Sequence, residues 1–212
     1  RSYRVPENLQ NHMLKVASIG KWIIQNWVGP EINENSIITT LLIHDIGNLV
    51  KVPYKLYSNI FPEGYKYLNY WKAVQEWIKD RYGKTDIEAT LNISKEIGAD
   101  ERILFLLKNK QFVNNEAIWA SEDYDLKICA YADQRVSPYG ILGIRQRLEE
   151  AVQRYKGYPE ASVNNPNRLK LIDYAEEIEK QLFKFIHKNP EDIHDKSIEE
   201  NLKEMRKFIY KK

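Results

Sequence analysis

The chain has 212 residues, of which 43% are hydrophobic and 29% charged, an ordinary balance for a soluble globular protein. Its net charge of +2 leaves no strongly basic footprint, so a nucleic acid is not an expected partner. Cys129 is the only cysteine, which excludes an intramolecular disulfide and fits a reducing compartment. No apolar run approaches the ~20 residues of a membrane span and no signal peptide is evident, so we expect a cytoplasmic protein with no membrane partner.

The organisation of the chain points to one helical domain. Its 8 prolines and 9 glycines are scattered, so no linker rich in these residues divides it. Apolar residues recur at helical spacing almost throughout, and no strand signal of comparable strength or internal repeat appears. We therefore predict an all-α, single-domain bundle of about eight helices over residues 1–212, with the C-terminal helices (about 165–210) packing on the rest.

The first helix is predicted to begin at Pro6, because a first turn does not need the N–H that proline lacks. Gly29-Pro30 should end it. The helix carries His12 at the border of its apolar face. That position suits a metal ligand, but it also suits a core-edge histidine bonded to a backbone carbonyl.

The second helix is predicted to follow Asn33, a typical N-cap residue, and to end close to Asp45 ahead of Gly47. Its apolar run ends in His44 and Asp45, whose polar groups must be satisfied somehow. Neutral His and ionised Asp are ligands of divalent cations, and the carbonyls at a helix C-terminus favour a nearby cation. The alternative is a capping histidine beside a solvated aspartate.

Residues 52–84 form the least regular part of the chain and are rich in aromatic side chains. We consider two interpretations: a lid that offers ring faces to a base or sugar, and a surface hairpin packed by its own rings. A helix is predicted within this segment. The aromatic residues are Tyr54, Tyr57, Tyr65, Tyr67, Tyr70, Trp71 and Trp77.

The remaining helices are marked by cap residues. Asp133 is a carboxylate on an otherwise apolar helical face, where a buried acid needs a partner. Cys129, one turn earlier, is interpreted as a small core residue. Glu176, Glu177 and Glu179 are interpreted as a solvated face, and His187 and His194 as structural or exposed. Helix starts are predicted at Thr85-Asp-Ile-Glu88, Asp100, Ser121 to Asp123, Asn165-Pro166 and Asp195, and apolar positions of the last two helices include Leu169 and Ile209.

Four polar side chains from three segments can therefore meet in the core of one bundle. Together they offer two imidazoles and two carboxylates, a ligand set that suits a divalent ion of Mn, Fe, Co, Ni or Mg. The four residues are His12, His44, Asp45 and Asp133.

The order H…HD…D on helices resembles that of the HD-domain metal-dependent phosphohydrolases. The resemblance covers about residues 5–155. It is carried by Asn11-His12, by Leu42-Ile43-His44-Asp45-Ile46-Gly47, and by Tyr131-Ala132-Asp133 followed by Arg135-Val136, Gly140-Ile141 and Arg147.

This resemblance implies a function for several residues. His12, His44, Asp45 and Asp133 would bind one divalent metal ion, which activates a water as the nucleophile that cleaves a phosphate ester. Asp45 would also orient the water. The implied substrate is a small nucleotide or related phosphate, with a deoxynucleoside 5′-monophosphate as the first expectation. Three cationic side chains would bind its phosphate, although each can equally be a surface charge: Lys51, Arg135 and Arg147.

Two departures from the family narrow the expectation. Many members have Lys or Glu three residues after the HD aspartate, whereas Asn48 stands here; an amide can orient water but cannot transfer a proton. Asn48-Leu49 also replaces the acidic pair of the family's alarmone hydrolases. Residues 46–132 contain no histidine, so the extra ligands of the binuclear relatives are missing and a single metal ion is expected.

Three hypotheses remain from the sequence. The first is an active phosphohydrolase, more a phosphomonoesterase than a phosphodiesterase. The second is a catalytically weak or inactive helical module that binds a nucleotide or a partner in the same cleft, which Asn48 supports. The third is a purely structural helical protein whose core polar groups satisfy one another. The sequence leaves the oligomeric state open, a homo-oligomer included.

Overall fold

A computed structural model describes residues 3–52, 67–154 and 165–210, and it confirms the predicted all-α, single-domain bundle. The described part has ten α-helices rather than about eight, and one of them, Asn115–Ala120, lies where no helix was predicted. None of these helices is both long and apolar enough to cross a bilayer. Their bounds are α1 (Glu7–Gln25), α2 (Glu34–Ile43), α3 (Leu68–Tyr82), α4 (Asp86–Glu96), α5 (Glu101–Asn109), α6 (Asn115–Ala120), α7 (Tyr124–Asp133), α8 (Ile144–Arg154), α9 (Arg168–Phe183) and α10 (Glu199–Met205).

Four predicted N-caps are confirmed: Asn33, Thr85, Asp100 and Asp123. The side chains of Asn33, Asp100 and Asp123 each accept a hydrogen bond from a backbone N–H in the first turn of the helix they precede. Thr85 and Glu88 form the predicted reciprocal capping box at the start of α4.

The chain beyond α7 departs from the predicted pattern at several positions. Asp195 opens a 3₁₀ helix (Asp195–Ile198), and α10 follows it. Leu169, in the first turn of α9, is 72% exposed, and Ile209, beyond the end of α10, is 76% exposed. Helical spacing alone therefore placed these two side chains wrongly, since they stand at the ends of their helices. A small unpredicted hairpin pairs Val136–Ser137 with Gly140–Ile141, and its turn uses Gly140 at φ 136°.

The second helix lies at the centre of the bundle. It contacts α1, α5 and α7, and its residues Ile37, Ile38 and Leu41 are fully buried in the main hydrophobic core. The C-terminal helices close the core from outside: α9 packs on α6, α7 and α8, and α10 packs on α1. This packing fixes the C-terminal end of α2, where His44 and Asp45 follow.

The segment after Asp45 is held by a second, smaller core. A 3₁₀ helix (Asn48–Lys51) packs against α3 and α4. Gln75 of α3 is buried, and its side-chain amide donates to the backbone carbonyls of Leu49, Val50 and Val52. These bonds satisfy carbonyls that a short helix leaves without partners.

The aromatic segment is described only in part. Tyr54, Tyr57 and Tyr65 lie outside the described residues, so neither the lid nor the hairpin interpretation is tested. The helix predicted around Trp71 and Trp77 is present as α3.

Gly47 provides a test of this packing. Its φ is −92°, so it does not adopt the left-handed conformation that is common for a glycine after a helix; instead it lies in close contact with α4. A Cβ at this position would lie 2.4 Å from the backbone nitrogen of Thr90. We expect Gly47→Ala to lower the free energy of unfolding by about 1–3 kcal/mol in urea denaturation. A Cβ at Gly143 would meet no atom within 4 Å, so Gly143→Ala should stay within about 0.5 kcal/mol of wild type. Equal losses in the two variants would contradict this packing.

Candidate metal centre

The structure brings together the four side chains that the sequence singled out as metal ligands. His44 is the C-cap of α2, Asp45 follows it, and Asp133 is the last residue of α7. His12 reaches the same place from α1 and is half-buried. The His44 side chain is fully buried, whereas those of Asp45 and Asp133 keep 23% and 26% of their surface exposed. The cluster therefore lies at the edge of the core with an opening to solvent.

The donor atoms are spaced as ligands of one ion would be. The Nε2 atom of His44 lies 3.2 Å from Asp133 Oδ1, and that of His12 lies 3.6 Å from the same oxygen. Metal–ligand bonds of about 2.0–2.2 Å put neighbouring ligand atoms about 3.0–3.5 Å apart. One donor atom from each of His12, His44 and Asp133 lies within 4.8 Å of the others. These three residues could therefore hold a metal ion with little rearrangement.

Asp45 does not belong to that group of three but lies beside it. Its Oδ2 atom is 3.8 Å from Nε2 of His12 and 3.7 Å from Nε2 of His44. The same oxygen accepts a 2.9 Å hydrogen bond from the side-chain amide of Asn48. Asp45 is thus fixed at the rim of the cluster, where it can complete a coordination shell or accept a hydrogen bond from a water.

The orientation of His44 carries the strongest chemical signal. Its Nδ1 lies 2.7 Å from the carbonyl oxygen of Leu41, which can only accept, so Nδ1 bears the proton. In the neutral ring the lone pair is then on Nε2, which is buried and has no hydrogen-bond partner. A lone pair that faces two carboxylates is unfavourable unless a cation, either a second proton or a metal ion, lies between them.

The pKa shifts agree with this negative environment. Burial disfavours the charged form of His44, but the carboxylates of Asp133 and Asp45 outweigh it and raise the pKa of the imidazole. Burial also acts against ionised Asp133, yet the Lys110 ammonium and His44 hold the pKa of that carboxyl well below its usual range. Burial likewise opposes ionised Asp45, and the nearby His44 charge nevertheless lowers its pKa. Both acids therefore stay ionised at neutral pH.

The backbone adds to the negative potential. Three helices end at the cluster: α2 at Ile43, α5 at Asn109 and α7 at Asp133. Each helix C-terminus carries about half a negative charge on its free carbonyls. Helix α2 packs against both α5 and α7, so these ends are held side by side. The site accordingly favours a cation.

Lys110 is a member of the site that the sequence analysis missed. It is the C-cap of α5, only 2% of it is exposed, and its Nζ lies 2.6 Å from Asp133 Oδ2. A lysine at a helix C-terminus is usually a solvated residue that interacts with the helix dipole. Lys110 differs from such a residue because α5 packs on α7, and no local sequence pattern predicts that contact.

Lys51 lies at the mouth of the site but is already paired. Its Nζ is 2.7 Å from Asp86 Oδ2, and about half of its side chain is exposed. Its charge also helps to lower the pKa of Asp45. Asp86 lines a small polar recess that leads to His44 and Asp45 between α4 and α5. Lys51 can thus meet an anion that approaches the cluster.

Arg135 and Arg147, which the resemblance implied as phosphate ligands, make contacts elsewhere in the bundle. The guanidinium of Arg135 is buried; it donates to backbone carbonyls that include those of Leu142 and Pro190, and it pairs with Glu179. Arg147 donates from Nε to the carbonyl of Val136. The two arginines therefore tie the hairpin and the C-terminal segment to the bundle.

Glu179 was interpreted as part of a solvated face, but its contacts with Arg135 and Tyr131 leave it half-buried. The interpretations of Cys129 as a core residue and of His187 and His194 as structural or exposed are confirmed. Cys129 is fully buried in the main core, and burial raises the pKa of its thiol. His187 is exposed, and the side chain of His194 caps the 3₁₀ helix that follows it.

The raised pKa of His44 predicts how the stability of the metal-free protein depends on pH. Its protonated form stabilises the fold below its ordinary pKa of 6.5, and this contribution is lost as the pH rises through the folded-state pKa. In the presence of a chelator, the free energy of unfolding should therefore fall as the pH rises above 6.5. With saturating Mn²⁺ the free energy of unfolding should instead rise with pH, because an imidazole must be neutral to bind the ion.

Urea denaturation of matched variants checks this prediction. His44→Asn should lose the pH dependence, whereas His187→Asn, which changes an exposed histidine, should keep it. The same slope with and without Mn²⁺ would contradict a metal role for His44.

Comparison with known proteins adds no assignment to this geometry. No protein-family model matches the chain, and neither a curated protein nor a solved structure matches it. The function must therefore be argued from the cluster itself and from the order of its residues along the chain.

Proposed function

We propose that the protein is a metal-dependent phosphohydrolase of the HD type that cleaves a phosphate ester of a small nucleotide or related phosphate. The observation that carries this proposal is the buried Nε2 of His44, which has no hydrogen bond and faces a carboxylate oxygen at 3.2 Å. With His12 it completes the donor set expected from the H…HD…D order. We also propose a cytoplasmic location, on the single buried cysteine.

The donor set fits one divalent ion of the Mn, Fe, Co, Ni or Mg kind, which His12, His44 and Asp133 would hold with Asp45 as the fourth ligand. Such an ion lowers the pKa of water and polarises the phosphorus centre. The described residues contain one such group, which supports a single ion. A single ion makes phosphomonoester cleavage the favoured reaction by analogy with the family.

The role of Asp45 follows from its pKa and its hydrogen bond. Because its pKa is lowered, Asp45 stays ionised and is a weak proton acceptor at neutral pH. Asn48 donates to its Oδ2, which fixes the direction in which the carboxylate can accept a further hydrogen bond. Asp45 would therefore orient the attacking water, while Asn48 positions Asp45 and transfers no proton.

Recognition of the phosphate would fall to fewer residues than the sequence suggested. Arg135 is buried and donates to backbone carbonyls, and Arg147 donates from Nε to the carbonyl of Val136, so Lys51, whose side chain is about half exposed, is the strongest candidate of the three. It would bind the substrate phosphate by exchanging part of its contact with Asp86. A deoxynucleoside 5′-monophosphate remains the first substrate to test, by family analogy.

A second candidate function is a helical module that binds a nucleotide without turning it over. Asn48 favours it, because the residue cannot act as a general acid or base in the place where many family members have Lys or Glu. In that case nucleotides should raise the melting temperature of the Mn²⁺-loaded protein while no phosphate is released.

The catalytic proposal is tested by phosphate release. Protein loaded in turn with Mn²⁺, Co²⁺, Ni²⁺ and Mg²⁺ is assayed on nucleoside monophosphates and on an aryl phosphate. We expect metal-dependent release by wild type and a loss of about 100-fold or more in Asp45→Ala, because the water-orienting carboxylate is removed. Metal affinity should also fall, since Asp45 is a ligand.

The control is Asp173→Ala, which removes an exposed carboxylate on α9 that pairs with Arg145. It should keep wild-type activity. Full activity of Asp45→Ala, or no release by wild type with any of the four metals, would refute the catalytic proposal.

A further inference from the structure

Lys110 carries a positive charge that is buried against one of the candidate ligands. Its Nζ donates to Asp133 Oδ2 at 2.6 Å, while the other oxygen of that carboxylate faces the two imidazoles. Within the described part of the chain, this is the only hydrogen bond of the ammonium. Ammonium groups are rarely buried unless they are paired, and each has three donors to satisfy. The environment of Lys110 is therefore set by the site rather than by ordinary packing.

A second buried lysine gives the comparison. Lys127 is also 2% exposed, but its Nζ donates to two uncharged acceptors, the carbonyl of Trp119 and the side-chain oxygen of Gln181. Lys127 thus serves to join α7 to neighbouring helices. Lys110 instead places its charge on a carboxylate of the candidate metal centre.

The charges of the site show what this ammonium changes. Asp45 and Asp133 contribute −2, two neutral imidazoles contribute nothing, and Lys110 contributes +1. With a divalent ion the sum is +1, and without Lys110 it would be zero. A centre that must accept a phosphate dianion gains from the positive sum, because the Lys110 ammonium is itself buried and its charge is only weakly screened by water.

We propose that Lys110 is a positioning residue that acts through Asp133: it holds Oδ2 so that Oδ1 faces the metal, and it gives the loaded centre the positive charge that binds an oxyanion. The inference rests on the proposed function, since it presupposes a metal ion at the cluster. It makes a prediction that a merely structural lysine does not make. Removing the charge should weaken oxyanion binding without weakening metal binding.

The experiment uses two probes, Mn²⁺ alone and inorganic phosphate added to the Mn²⁺-loaded protein, followed by calorimetry and by thermal shift. Lys110→Met removes the charge and the hydrogen bond. Lys110→Gln removes the charge but keeps a donor for Asp133. In both variants we expect phosphate affinity to fall about tenfold or more, because a charge-assisted interaction is lost. Mn²⁺ affinity should be unchanged or higher, because a repelling charge is gone.

Two controls accompany these variants. Lys110→Arg keeps the charge and should bind phosphate within about threefold of wild type. Lys127→Met makes the same substitution at a buried lysine that does not contact the candidate ligands. It should bind both probes as wild type does, although its free energy of unfolding should be lower.

The outcomes separate this inference from the proposed function. If Lys110→Gln binds phosphate as tightly as wild type, or if it loses Mn²⁺ and phosphate binding by the same factor, the inference is refuted while the proposed metal site stands. If wild type binds no Mn²⁺, both are refuted. Should Lys110→Met fail to fold, the comparison of Lys110→Gln with Lys110→Arg decides the question.

Discussion

The candidate metal centre depends on one contact: a fully buried imidazole nitrogen of His44 faces ionised carboxylates and has no hydrogen bond of its own. The ring cannot turn away, because its other nitrogen is anchored to the carbonyl of Leu41. The backbone cannot easily move either, because α2 is packed on three helices at the centre of the bundle. A rigid scaffold therefore holds a lone pair and negative charges together, an arrangement that is stable only with a cation.

The fold concentrates negative potential at this point. Three helix C-termini and two carboxylates meet there, and the buried ammonium of Lys110 contacts one of these carboxylates. The second core, with Gln75 bound to the backbone after Asn48, holds the rim of the site from the other side. The same packing that buries α2 therefore also sets the positions of the candidate ligands.

Local sequence was sufficient for features that short-range chemistry decides. Asn33, Thr85, Asp100 and Asp123 were identified as caps because each cap side chain bonds to the backbone within three residues. The cluster of candidate ligands was also identified from local features, because an acid such as Asp133 on an apolar helical face stands out in the sequence.

Features that tertiary contacts decide could not be predicted in this way. Lys110 and Arg135 both belong to residue types that are usually solvated, and only contacts with distant segments bury them. Leu169 and Ile209 fit a helical period but stand at helix ends that the core does not reach. The hairpin of Val136–Ser137 and Gly140–Ile141 is too short for a periodic signal.

A crystal structure of the Mn²⁺-loaded protein with anomalous scattering data would show whether His12, His44 and Asp133 share one divalent ion. The account predicts one anomalous peak at about 2.0–2.3 Å from Nε2 of both histidines and from Oδ1 of Asp133. Crystals grown in Mn²⁺ that show no peak at this cluster, with His44 Nε2 still within hydrogen-bond distance of Asp133 Oδ1, would contradict it.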